Sequence, residues 1–201
     1  NRNFSNVSGG DAPLQVAILT NQLQALAYGV YLRSDQAINP PAALLREPET
    51  LNLGIFQRAS QSIPLFVGAE QMGDDVINAS LLQGFTTLPS QMALGATWNP
   101  ELVKSVGAVA GRELAAVGVN LLLGPGLDVL EQPRPDLGAG LSVHSFGGDP
   151  YWVGKLGQAY ISGIHEGSNQ RVATLASHFP GQGGTDRRPD EEVATIQKSL
   201  E

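Results

Sequence analysis

Short apolar runs recur along the chain, separated by longer stretches of mixed polarity. Three runs are clear, at residues 63–68, 119–124 and 172–176. Each is rich in aliphatic side chains and is too short for an ordinary helix, so each predicts a buried strand. Residues 29–62 contain Pro40, Pro41 and Pro48 and follow neither a strand nor a helix period, which predicts an irregular insertion.

Between the apolar runs, hydrophobic residues recur at helical spacing. From Pro100 to Val117 they fall at i, i+3, i+4 and i+7, which predicts an amphipathic helix. Asn99 is a good N-cap before a proline at the first helical position, and Gly118 is a good stop. Comparable patterns predict three more helices, at 13–28, from 149–150 to about 166, and from 191 to 201.

The alternation of strands and helices predicts an α/β fold with a parallel sheet and right-handed crossovers. A closed barrel of eight such units takes about 250 residues, and this chain of 201 residues has three clear strands. The pattern therefore fits either the parallel (β/α) units of an incomplete TIM-type barrel or a complete, small doubly wound domain.

Composition narrows the function classes. A hydrophobic fraction of 42% and a charged fraction of 15% are typical of a folded globular protein. The net charge of −7 argues against nucleic-acid binding, which needs clustered Lys and Arg. The chain has no cysteine, its three histidines lack metal-ligand spacing, and no run reaches the roughly 18 apolar residues of a membrane-spanning helix. We expect no metal, no cofactor and no membrane-spanning segment.

The most informative stretch is the glycine-rich loop at 177–186, which follows the third predicted strand and reads Ser-His-Phe-Pro-Gly-Gln-Gly-Gly-Thr-Asp. Loops after the strands carry the chemistry of α/β barrels. This loop resembles the Lys-His-Phe-Pro-Gly-His-Gly-Asp-Thr motif of family 3 glycoside hydrolases, in particular their β-N-acetylhexosaminidase branch. Other stretches resemble motifs of the same family in the same order: 86–97, 111–114, 118–120, 124–129 and 145–150.

The resemblance implies a fold and an activity. Residues 1–201 would form part of one N-terminal (β/α) barrel domain, from about the end of the second strand through the fifth, with the remainder of the barrel or a second domain supplied elsewhere. The partner would be carbohydrate, and the reaction would be hydrolysis of terminal β-linked sugars, N-acetylglucosaminides above all. The family's retaining mechanism needs a carboxylate nucleophile, which the resemblance places beyond residue 201.

The proton donor has a less direct counterpart. In the hexosaminidase branch it is a histidine in an Asp-x-His motif after the fifth strand. The corresponding loop here has no histidine, and Asp190 falls nearest to the expected position, or Glu191 if the loop has slipped. Burial can raise the pKa of a carboxylic acid enough for this role. The alternative is that Asp190 begins a helix, where the macrodipole favours a negative charge.

The resemblance also implies a set of sugar-binding residues: Glu70, Asp128, His144, His178 and Gln182. Seven polar positions differ from the family pattern: Glu70, Met72, Asp75, His144, Ser177, Gln182 and Gly184. Two further functions therefore stay open, namely an inactive carbohydrate-binding or scaffold domain and a site for a cationic or amino sugar. Trp98 and Trp152 have the chemistry of sugar-stacking platforms, but their places near helix starts favour core packing.

Overall fold

The computed structural model describes residues 12–27, 64–71, 73, 84–131, 143–185 and 195. Four helices and three strands lie within these ranges. In chain order they are α1 (Ala12–Ala27), β1 (Gly68–Ala69), α2 (Gln91–Gly95), α3 (Pro100–Ala116), β2 (Leu121–Gly126), α4 (Pro150–Gly167) and β3 (Ala173–Ser177).

The three strands form one parallel sheet in the order β1-β2-β3. Leu121 is aligned with Gly68 on one side and with Ala173 on the other. The helices α2 and α3 lie in the crossover from β1 to β2, and α4 lies in the crossover from β2 to β3. The parallel arrangement predicted from the alternating pattern is confirmed, and all three strands end at the same edge of the sheet.

For the three predicted helices that the structure describes, the boundaries agree with the predictions to within a residue. Asn99 accepts a hydrogen bond from Leu102 N at 3.1 Å and caps α3. Asp149 caps α4 by accepting from Tyr151 N at 2.9 Å. The short helix α2 was not predicted, although Ser90 is a good N-cap and accepts from Ala93 N at 3.3 Å.

The core lies mainly between α3, α4 and β2, and the two helices pack with almost no space between their backbones. Gly107 and Gly111 of α3 face α4, while Gly163 and Gly167 of α4 face α3. A Cβ atom at any of these four positions would lie closer than 3.0 Å to a carbonyl oxygen of the opposite helix. Around this contact lie fully buried side chains: Val103, Leu114, Leu122, Leu156 and Ile164.

The prediction of a strand over 63–68 is wrong in its extent, because β1 begins only at Gly68. Before it, Val67 O accepts main-chain hydrogen bonds from Asn120 N at 3.1 Å and Leu121 N at 3.3 Å, and the other main-chain contacts of this segment are made by two side-chain amides. Gln24 of α1 donates to Leu65 O at 2.7 Å and accepts from Leu65 N at 3.1 Å. Asn120 donates to Leu65 O at 3.0 Å and accepts from Val67 N at 2.7 Å. These two amides satisfy the main-chain groups of Leu65 and the N–H of Val67, which lie outside the ladder.

The third strand forms where it was predicted, but the prediction that it is buried is wrong. Leu175 is 55% exposed, and Ala173 and Ala176 are exposed as well. The reason is that β3 lies at the edge of the described sheet and has β2 as its neighbour on one side only.

Two predictions fall outside the described residues, namely the insertion at 29–62 and the helix at 191–201, of which only Thr195 is described. The assignment of 1–201 to one domain stays a prediction. Among the described helices, none combines the length and apolar character needed to cross a membrane.

Candidate functional site

Polar residues follow the carboxyl ends of all three strands. Glu70 comes directly after β1, Asp128 lies two residues beyond β2, and His178 comes directly after β3. Since the strands are parallel, these residues lie along one edge of the sheet, which is where α/β barrels place their functional groups. The positions alone therefore indicate a site at this edge.

The centre of this edge is a pair formed by Asp128 and His178. Asp128 Oδ2 lies 2.6 Å from His178 Nδ1. The aspartate side chain is 3% exposed and that of the histidine is 42% exposed. The carboxylate is therefore held within the protein, while the ring it contacts reaches solvent.

The chemistry of the pair fixes how the ring is presented. An ionised carboxylate can only accept hydrogen bonds, so His178 donates Nδ1–H to Asp128. The other ring nitrogen, Nε2, is left for contacts outside the pair. It accepts a hydrogen bond when the ring is neutral and donates one when the ring is protonated. The arrangement offers a rigid, oriented imidazole to whatever binds at this edge.

The second carboxylate oxygen of Asp128 holds the glycine-rich loop. Gln182 N donates to Asp128 Oδ1 at 2.5 Å, and Thr185 N donates to Gln182 O at 3.1 Å. Gly183 passes so close to Val129 that a Cβ atom there would be closer than 3.0 Å to its carbonyl oxygen. Asp128 thus orders both His178 and the loop that follows it. Gln182 Oε1 is buried and has no hydrogen-bond partner among the described residues.

Ser145 binds the main chain of Asp128 and was not predicted as a site residue. Its side chain is fully buried, and its hydroxyl lies 2.6 Å from Asp128 O and 3.1 Å from Gly147 N. A hydroxyl can donate to the first and accept from the second. This bridges the loop before α4 to the end of β2. The family-like stretch at 145–150 contained this serine, but nothing local distinguishes a bridging serine from an exposed one.

Gln91 is a second support that sequence reasoning missed. Its side chain is buried, accepts from Gly126 N at 3.2 Å and donates to Gly126 O at 3.4 Å. It therefore pairs with the last residue of β2 as a neighbouring strand would.

Tyr160 of α4 is a buried donor. Its OH lies 3.5 Å from Gln71 O, and burial raises the pKa of this tyrosine, so the phenol stays neutral at ordinary pH.

The structure brings some of the predicted site residues together and leaves others apart or undescribed. Asp128, His178 and Gln182 are in direct contact. Glu70 is half-buried at the end of β1, and the His144 carbonyl lies against Gly126 at the end of β2. Asp190 lies outside the described residues, as do Met72 and Asp75.

Two other positions that differ from the family pattern are described. The Ser177 carbonyl accepts from Leu127 N at 2.5 Å and so joins β3 to the segment after β2. A Cβ atom at Gly184 would lie 2.9 Å from Glu131 Oε2. In the part of the chain that the structure describes, no three His, Asp or Glu side chains come together as a metal site.

Parallel (β/α) units with a buried carboxylate and an oriented imidazole where the strands end are arranged as in (β/α) barrels, whose functional groups lie on this face. The family model described as "Glycosyl hydrolase family 3 N terminal domain" matches residues 46–201. The chain therefore belongs to glycoside hydrolase family 3, whose N-terminal domain is a TIM-type barrel. The alternative of a complete doubly wound domain is wrong.

Several known proteins are similar to this chain. A beta-hexosaminidase of Thiobacillus denitrificans is 35% identical over 62% of this chain and 34% of its own length. A beta-xylosidase of Formosa agariphila is 35% identical over 74% of this chain and 22% of its own length. The structure of a family 3 beta-N-acetylglucosaminidase from Paenibacillus sp. superposes with a TM-score of 0.62 and 29% identity, over 88% of this chain and 26% of that one.

The chain spans only part of its relatives. Among the curated proteins named here, the matching segment covers about a third of the hexosaminidase and less than a quarter of the xylosidase.

Proposed function

We propose that the polypeptide containing this chain hydrolyses terminal β-linked sugars, N-acetylglucosaminides above all. The mechanism would be retaining, with the carboxylate nucleophile supplied from outside these 201 residues. The observation that carries the proposal is the contact between buried Asp128 and half-exposed His178 at the carboxyl edge of the sheet. Family membership supports the reaction class, and the similarity to hexosaminidases supports the N-acetylated sugar.

In this proposal His178 binds a sugar hydroxyl through Nε2. Asp128 keeps the proton on Nδ1, so the neutral ring presents a lone pair and accepts from the hydroxyl. Ser145 and Gln182 N hold Asp128 in place, and Asp128 holds the His178 ring. The ring therefore loses little conformational entropy when a sugar binds. Glu70 and His144 would bind further hydroxyl groups, with Gln182 beside them, and Asp190 would donate the proton to the leaving oxygen.

An inactive carbohydrate-binding domain is the second candidate, and two described positions favour it. The family motif at 177–186 begins with a lysine where this chain has Ser177, and the family motif that resembles 145–150 is preceded by an arginine where this chain has His144. Each change removes a side chain that is ordinarily cationic at neutral pH from the edge where the strands end. The contacts of Asp128 with the loop do not depend on either position, so a binding surface could persist without turnover.

The test is a turnover assay on the full polypeptide with aryl β-N-acetylglucosaminide, aryl β-glucoside and aryl β-xyloside. The proposal predicts steady release of the aryl group, fastest from the N-acetylglucosaminide. Saturable binding of N-acetylglucosamine without release of the aryl group would overturn hydrolysis and leave the binding domain. Faster release from the xyloside or glucoside would overturn the choice of sugar.

Two variants connect the activity to the site. Asp128→Asn is expected to reduce kcat/KM by at least about ten-fold. Glu101→Gln, which removes an acidic group from the exposed first turn of α3, is expected to leave kcat/KM unchanged and serves as the matched control. Equal kcat/KM in the two variants would show that the reaction does not depend on the contact between Asp128 and His178.

A further inference from the structure

Three aromatic side chains form a cluster beside the N-terminal ends of α3 and α4, which we term the aromatic platform: Trp98, Tyr151 and Trp152. The rings of Trp98 and Trp152 meet edge to face, with centroids 5.0 Å apart and an angle of 89°. Tyr151 meets Trp152 in the same manner at 5.7 Å and 84°. Such contacts hold aromatic rings in fixed relative positions.

The platform is open to solvent. Trp98 is 57% exposed and Tyr151 is 63% exposed, whereas Trp152 is half-buried and packs on the core. The prediction that both tryptophans serve core packing is therefore wrong for Trp98. Its side chain projects from the turn after α2 and is supported by Trp152 instead of being enclosed. The ring of Trp98 and that of Tyr151 are therefore accessible to a ligand.

The backbone of Trp98 is also unusual. Its φ of 51° is left-handed, a conformation found at the ends of helices mainly for Gly or Asn. Trp98 occupies this position after α2, where its N–H donates to Gly95 O at 3.1 Å. A bulky side chain in a strained backbone state that a glycine would relieve points to a role for the ring itself.

The platform and the candidate site lie on the same side of the sheet. Helices of parallel (β/α) units begin at the edge where the strands end, so the N-terminal ends of α3 and α4 lie on the same side of the sheet as Asp128. Gly95, just before the Trp98 turn, packs so tightly on the Phe146 carbonyl that a Cβ atom there would be closer than 3.0 Å. Phe146 follows Ser145, whose hydroxyl contacts Asp128 O. One continuous set of contacts links the platform to the site.

We propose that the aromatic platform binds additional sugar units of a β-linked oligosaccharide whose terminal unit occupies the site at Asp128 and His178. The inference rests on the proposed function. A pyranose ring has an apolar face of C–H groups that matches the negative face of an aromatic ring, while its hydroxyl groups stay in water. Lys155 lies 5.7 Å from the centre of the Tyr151 ring, where its ammonium group supplies donors for hydroxyl oxygens.

The experiment compares the affinity of the full polypeptide for hexamers and monomers by calorimetry. The ligands are the hexamers of β-1,4-linked N-acetylglucosamine and of β-1,4-linked glucose, with N-acetylglucosamine as the monomer. Trp98→Ala is expected to weaken the better-bound hexamer roughly five- to ten-fold, the effect of one lost aromatic contact, and to leave the monomer affinity unchanged. Trp98→Phe keeps a ring and is expected to retain most of the hexamer affinity.

Leu102→Ala is the matched control, because Leu102 is an exposed apolar residue on the first turn of α3 but has no aromatic ring. It should bind the hexamer as the unchanged protein does. Equal hexamer affinity in Trp98→Ala, or no binding of either hexamer, overturns the platform and assigns it to packing against another part of the polypeptide. A third outcome is that neither the unchanged protein nor any variant binds the monomer, while Trp98→Ala still weakens hexamer binding. That outcome overturns the proposed site but supports the platform.

Discussion

The packing of α3 on α4 and the site at the ends of the strands are held together in opposite ways. The helix pair depends on the absence of side chains at four glycines, which lets each backbone approach the carbonyl groups of the other helix. The site depends on a few buried polar side chains, Asp128, Ser145 and Gln91, that reach distant main-chain groups. The helix pair therefore tolerates little change, whereas exposed residues around the site can vary while its backbone stays in place.

The largest effect is expected from Gly163→Ala. The added methyl group would overlap the Lys104 carbonyl and approach Ala108 N to 2.9 Å, so one helix must shift. Overpacking of this kind costs up to about 3 kcal/mol, which chemical denaturation of the full polypeptide would measure. Gly154→Ala is the control on the same helix, because its Cβ would meet nothing within 4 Å. It should stabilise by roughly 0.5–1 kcal/mol, and equal losses in both variants would contradict the account of the helix pair.

Asp128→Asn is expected to affect the site more than the fold. The amide oxygen can still accept from Gln182 N, but the amide nitrogen would donate to His178 Nδ1 and force the other tautomer. Nε2 would then carry the proton and no longer accept from a hydroxyl. We predict at least about ten-fold weaker binding of N-acetylglucosamine, or about 1.4 kcal/mol, in a calorimetric titration. Unchanged binding would show that the tautomer of His178 does not matter.

Ser145→Ala is expected to have an intermediate effect. Removing the hydroxyl leaves the buried Asp128 carbonyl and Gly147 N–H with one partner fewer, at a cost of about 1–2 kcal/mol. Ser105→Ala is the matched control, since its hydroxyl donates to Glu101 O at 2.9 Å on the exposed surface of α3. Denaturation midpoints should fall for the first variant and stay close to the original for the second.

The smallest effect is expected from Glu166→Gln. Lys104 Nζ lies 2.7 Å from Glu166 Oε2, but the two side chains are 39% and 67% exposed. The hydrogen bond and charge of Glu166 raise the pKa of Lys104, so any stabilisation is present at neutral pH and is lost only above the ordinary lysine range. Exposed ion pairs contribute little, and the denaturation midpoint at pH 7 should not change. A clear fall would mean that the helix pair needs its charges as well as its glycines.

Much of the fold was predictable because it follows from local patterns. The caps Asn99 and Asp149 and the apolar spacing between them located α3 and α4 to within a residue. The third strand was located equally well. Its exposure was not predicted, since the burial of a strand depends on which strands lie beside it. The first strand was placed too early because Gln24, more than 40 positions away, binds Leu65 in place of a neighbouring strand.

The candidate site was predictable in part for the same reason. Asp128 and His178 lie in stretches that resemble a known family, yet their contact joins residues 50 positions apart. Ser145 and Gln91 carry no local signal that separates a buried bridge from an ordinary polar residue. Their roles arise only when the ends of the strands come together.

The central claim is that His178, oriented by Asp128, binds sugar at the carboxyl edge of the sheet. The most direct test is a calorimetric titration of the full polypeptide and its His178→Ala variant with N-acetylglucosamine. The account predicts saturable binding that becomes at least about ten-fold weaker in the variant, the change expected from about 1.4 kcal/mol. The denaturation midpoint should fall only modestly, because the His178 side chain is 42% exposed and its removal takes a single hydrogen-bond partner from the buried Asp128 carboxylate. Equal affinity in the two proteins would contradict the claim.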